Sequence, residues 1–187
     1  MRLRSQTPSK NEGTMDRAND FLKSQVHNAA GQHFLFVKSL EVHEEQAADA
    51  RFRDLCTRYI GAMREHQRML EDYQSELGPP SAGVLKQSVG PTVTSTRDLA
   101  DAVRQSDFLR LAGDILMSRQ AEETFRIFRE AGRTLGLQHL AELGDACERG
   151  HDAYNRDATR LLQQLFVDTA RDRDIGTVTP GAVHPGS

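Results

Sequence analysis

Six prolines stand at positions 8, 79, 80, 91, 180 and 185, leaving two proline-free stretches, 9–78 and 92–179. Proline inside a helix costs about 3 kcal/mol, because its ring clashes with the preceding turn and it carries no N–H. Each stretch is too long for one globular helix and reads as a helical hairpin. Between them, GPPSAGVLKQSVGPTVTS at 78–95 is rich in Gly, Pro and Ser, poor in charge, and reads as a connection. No alternating apolar pattern of any length occurs, so the chain is predicted to be all-α.

Apolar residues recur at steps of three and four, the signature of one helix face. The four stripes are Leu22, Val26, Ala29, His33, Val37, Leu40 and Ala47; Phe52, Leu55, Tyr59, Ala62, His66, Met69, Tyr73 and Leu77; Leu99, Val103, Leu109, Ala112, Leu116, Glu123 and Ile127; and Leu140, Leu143, Cys147, His151, Tyr154, Ala158, Leu162 and Leu165. They predict helices near 16–47, 50–77, 96–131 and 138–168, with Ser95 and Asp98 as a capping box and Gly132 and Gly136 breaking the second hairpin. The bundle domain is therefore expected over 16–168. Residues 1–15 and 169–187 are expected to form disordered tails, and Met15 stands as an alternative start.

Connection length then constrains topology. A helix of about 30 residues is ~45 Å long, and the 78–95 segment reaches ~60 Å if extended at ~3.3 Å per residue. It can run the length of the bundle, which makes helices two and three parallel through one long crossover; a compact loop with simple up-down topology is the alternative.

The 24 Lys and Arg against 27 Asp and Glu give a net charge of −3 over 187 residues, without the basic excess of a nucleic-acid or membrane-surface binder. Tryptophan is absent, and no apolar run approaches the ~18 residues that span a bilayer. Cys56 and Cys147 form neither a disulfide framework nor a CxxC pair and read as small apolar residues in a reducing cytosol. A cytoplasmic protein without nucleic-acid or membrane partners is expected.

Polar residues interrupt the stripes. His33, His66, Glu123 and His151 stand at inward positions, and Glu148 lies one turn before His151 in a Glu-x-x-His that puts both on one face. With helices two and three parallel, His66, Glu123 and His151 fall within about 7–8 Å of one level. His33 lies somewhat higher, and His27 sits at the edge of its stripe. The candidate metal ligands are His66, Glu123, Glu148 and His151, for Fe or another divalent metal if any is bound. The alternatives are histidines that are only hydrogen-bonded, and a soft-metal pair of Cys147 and His151. No His has Glu, Asp or His four residues on; His43-Glu44 does not continue to His-Glu-x-x-His, and no phosphate loop or serine elbow occurs. Glu41, Glu44 and Glu45 read as a solvated helix face.

His66-Gln-Arg-Met-Leu-Glu-Asp-Tyr-Gln-Ser-Glu-Leu-Gly78, together with Arg119-Gln-Ala-Glu-Glu-Thr-Phe-Arg-Ile-Phe leading to Leu135-Gly136 and a last helix carrying Glu148, resembles the bacterial stress-associated ferritin-like family over roughly 16–168. The resemblance implies a ferritin-like four-helix bundle with a long crossover, often dimeric, and a di-iron centre of carboxylates and histidines. The chain departs from that pattern in its first half. His33 or Gln32 stands where helix one would supply an inward Glu, and Tyr59 and Ala62 stand where helix two would supply a Glu and His pair. Glu122 or Glu123 and Glu148 remain. A degenerate or absent di-iron site and a mainly binding or structural role follow as the expectation. The alternative is an iron oxidase or peroxide scavenger with a His-rich site. A homodimer is expected from the resemblance and from apolar residues flanking the stripes, Phe34, Leu35, Phe125 and Phe128.

Overall fold

The computed structural model describes residues 10–80 and 106–172. Among them are four helices and no strand: α1 Lys10–Gln46, α2 Ala50–Leu77, α3 Asp107–Leu135 and α4 Gln138–Asp172. Helix α1 takes in residues 10–15 and α4 takes in 169–172, both expected as tail, since neither stretch holds a proline to stop a helix. Helix α3 begins at Asp107, after Ser106 in extended conformation. The Ser95–Asp98 capping box and most of the 78–95 connection lie outside the described residues.

Each break has a local cause. Asp49 caps α2 by accepting from the N–H groups of Arg51 and Phe52. Arg53 donates to the carbonyls of Ala47 and Ala48 at 2.5 and 3.0 Å, satisfying acceptors that the end of α1 leaves without a helical partner. Gly78 stops α2 at a φ of 72°, and Pro79 and Pro80 cannot resume it. Gly136 stops α3 in the left-handed region, with Leu137 N–H bonded back to Gly132 C=O at 2.8 Å.

Contacts at the helix ends set direction. The Asp49 N–H donates to the Asp107 carboxylate at 2.7 Å, Arg110 donates to Gln46 C=O at 3.2 Å, and Arg51 pairs with Asp168 at 2.9 Å. The end of α1, the starts of α2 and α3 and the end of α4 therefore share one end of the bundle. His139 meets Glu76 at the other. Helices α2 and α3 run the same way, each antiparallel to both α1 and α4. The α3–α4 pair is the closest: a Cβ at Gly132 would strike the Ala141 backbone, and one at Gly144 the backbone of Phe125 and Arg129.

Two apolar clusters fill the interior. One, toward the shared end, holds Phe36, Leu40, Phe52, Met63, Leu111, Tyr154 and Leu165. The other holds Val26, Leu70, Phe125, Phe128, Leu140 and Cys147. Between them every helix turns polar at one level: His33 on α1, His66 on α2, Ser118 and Glu122 on α3, Glu148, His151 and Asn155 on α4, all buried.

The third stripe differs from the expected one by a rotation of the helix. Leu111, Asp114, Ser118, Glu122, Phe125 and Phe128 face inward, whereas Leu109, Leu116, Glu123 and Ile127 are exposed. On α2, Ala62 is likewise exposed, and Met63 takes the inward place. No described helix is long and apolar enough to cross a membrane.

Candidate metal centre

One ring nitrogen from each of His33, His66 and His151 lies within 4.8 Å of the others. Ring centroids are 5.1 Å apart for His33 and His151, 6.1 Å for His66 and His151, and 6.2 Å for His33 and His66. Three helices thus each send one imidazole to a single point. Phe125 stacks on His151 at 5.4 Å, and Phe36 lies 5.3 Å from it, so the triangle has apolar walls.

Two rings are held by their outer nitrogens. His33 Nδ1 lies 2.9 Å from Gln67 Oε1, and Gln67 Nε2 donates to Glu71 at 2.7 Å. That second bond fixes the amide orientation, so His33 Nδ1 carries the proton and Nε2 is bare. His151 Nδ1 lies 2.8 Å from Ser118 Oγ, and the tautomer that donates there has a bare Nε2 as well. His33 Nε2, His66 Nδ1 and His151 Nε2 are all buried without a hydrogen-bond partner. A buried polar atom left unsatisfied costs about 1–3 kcal/mol, and three occur at one place.

Burial keeps all three rings neutral. It lowers His33 from 6.5 to about 4, outweighing the Gln67 bond that acts the other way. His66 is lowered by burial, and His151 well below its ordinary value by burial and then by the other two rings. Neutral imidazoles with inward lone pairs and outer N–H groups anchored by the protein are the form that ligates a metal. Tetrahedral Zn–N bonds of about 2.0–2.1 Å would put nitrogens some 3.4 Å apart, so small ring rotations close the site.

Of the four expected ligands, His66 and His151 meet here and the two carboxylates do not. Glu123 is on the outer face, paired with Arg126 at 2.8 Å, because α3 is rotated relative to its apolar pattern. Glu122 is the inward carboxylate, accepting from Asn155 at 2.7 Å and Arg126 at 3.2 Å. Glu148 is buried but turned toward α3, where it pairs with Arg126 at 3.1 Å and with Arg129. The Arg126 guanidinium bridges Glu122 and Glu148, standing as the cation between them. A dinuclear carboxylate centre therefore does not fit these residues.

The first-half departures resolve in the same direction. His33, not Gln32, faces inward, while exposed Gln32 reaches toward Gln120. Tyr59 is turned to α4, donating to Asp157 at 2.9 Å. Cys147, one turn from His151, lies in an apolar cluster where burial pushes its thiol up to about 12, so it offers no thiolate. Glu41 pairs with Lys38 and Arg64 on the surface, as a solvated face does.

Sequence patterning missed Asp114, Ser118 and Asn155, and Glu122 entered only through the family resemblance, as the alternative to Glu123. Asp114 is fully buried, accepting from Ser39 at 2.6 Å and facing His43 Nδ1 at 2.7 Å, a polar tie between α1 and α3 inside the apolar cluster. The available signal was the run Asp114, Ser118, Glu122 at steps of four, in register with Leu111 and Phe125. No protein-family model, no curated protein and no solved structure matches the chain.

Proposed function

We propose that the chain is a ferritin-like helical bundle that binds one transition-metal ion through His33, His66 and His151, in place of a dinuclear carboxylate site, and that its role is mainly binding. The observation that carries this reading is the convergence of three buried imidazoles from three helices on one point, each ring with a buried nitrogen that has no hydrogen-bond partner. An all-nitrogen donor set suits a borderline ion such as Zn(II) or Fe(II) better than Mg or Ca. The ferritin-like reading is supported by α2 and α3 starting at the same end of the bundle and running the same way. A reducing, cytoplasmic setting is supported by Cys56 and Cys147 both being free thiols.

Metal analysis of dialysed, tag-free protein tests the reading. One ion per chain is expected, lost in His33→Ala/His151→Ala. The alternative, peroxide scavenging, draws on the coordination position that three protein ligands leave open. Iron-loaded protein that consumes peroxide no faster than this double variant would leave binding as the role.

We also infer a homodimer. Phe125 and Phe128 are core residues and do not contribute to it. Leu35, Leu116 and Ile127 are 62%, 70% and 59% exposed and lie on the outer sides of the neighbouring helices α1 and α3.

A further inference from the structure

We propose that Gly150 is the positioning residue of the three-histidine site, and that His66, seated against it, is the ligand that closes over the ion and opens to release it. This rests on the metal-binding reading above. Gly150 lies inside the 35-residue helix α4, where glycine is a much poorer helix former than alanine. Its backbone is helical, so no turn requires it. A Cβ there would fall on the His66 ring itself, meeting Cε1, Nε2 and Nδ1. Gly132 and Gly144 differ in kind, because their missing Cβ atoms make room for backbone. Gly150 makes room for an imidazole.

His66 differs from its two partners in the way such a closing ligand must. His33 is anchored through Gln67 and His151 through Ser118, whereas neither ring nitrogen of His66 is hydrogen-bonded to another described residue. His33 and His151 are 1% and 0% exposed, while His66 is 8% exposed and sits at the α2–α4 seam opposite a partly exposed Gly150. Two fixed ligands and one free ligand at the edge give a site that fills and empties through the seam.

The test is a cycle of Gly150→Ala, His66→Ala and the double variant in full-length protein, read by Co(II) or Zn(II) affinity and by the rate at which a chelator extracts the ion. Gly61→Ala, with open space around its Cβ, is the control. Gly150→Ala should weaken binding and speed extraction about 10–100-fold, as His66→Ala does, although all three histidines are present. The double variant should be no weaker than His66→Ala alone, because the alanine then meets no ring. If Gly150→Ala fails to fold, the double variant should fold and bind as His66→Ala does, which supports the same contact. Gly150→Ala binding like wild type, or the double variant losing further affinity, would overturn the proposal. Wild-type protein that binds no metal would instead remove the reading beneath it.

Discussion

A histidine at the centre of an apolar helix stripe gives up its charge, and that loss is measurable. Unfolded His33 takes up a proton near 6.5, and the folded ring only near 4. Between those values the unfolded chain binds more protons, so stability from this group is complete above pH 6.5 and lost as pH falls toward 4. For His33 the difference is about 3 kcal/mol, with His66 and His151 acting in the same direction. Metal-free protein should therefore lose Tm steadily from pH 7 to 4.5, and His33→Phe should flatten the curve. An unchanged slope in that variant would place the acid sensitivity elsewhere. At this scale the sequence was half legible. The inward histidines could be read because each interrupts a run of apolar neighbours. The carboxylates could not, since Glu122 and Glu123 are adjacent and only the rotation of α3 decides which is inside. Nor does Glu148 reveal, from spacing alone, that Arg126 and Arg129 hold it on another side.

Among the elements, α1, α2 and α4 follow their apolar stripes closely, and α3 does not. Its inward face carries Asp114, and then Ser118 and Glu122 at the level where the other helices supply histidines, while Leu109, Leu116 and Ile127 line the outside. A polar inner face beside an apolar outer one inverts the usual cue, so hydrophobicity points to the wrong side of the helix. Leu111→Ala should thus cost about 2–5 kcal/mol as a cavity in the core. Leu116→Gln should stay within about 0.5 kcal/mol in urea unfolding of dilute protein. Equal costs would contradict the rotation. Two breaks, by contrast, were readable in the sequence, Gly78 before two prolines and left-handed Gly136, whereas the Asp49 cap that starts α2 was not.

Across the whole bundle, the described residues form two apolar clusters separated by one polar layer, and both proposed properties follow from that arrangement. The apolar residues displaced to the outer side of α3, together with exposed Leu35 of α1, are the ones assigned to contact with a second copy. Leu116→Glu/Ile127→Glu should convert the dimer to monomer in light scattering without lowering helix content. A wild-type protein that is already monomeric at tens of micromolar would remove the dimer and leave the metal site untouched. The polar layer is the central matter, because three unsatisfied imidazole nitrogens in one place are costly unless something ligates them. A ligand bound only by the folded state stabilises it in proportion to the logarithm of its concentration. The most direct measurement is calorimetric titration of metal-stripped, tag-free protein with Zn(II), beside His33→Ala, His66→Ala and His151→Ala. One equivalent should bind per chain, with affinity falling in each variant and a higher Tm for the loaded wild type. No binding by folded wild-type protein, or binding unaffected by all three substitutions, would contradict the account.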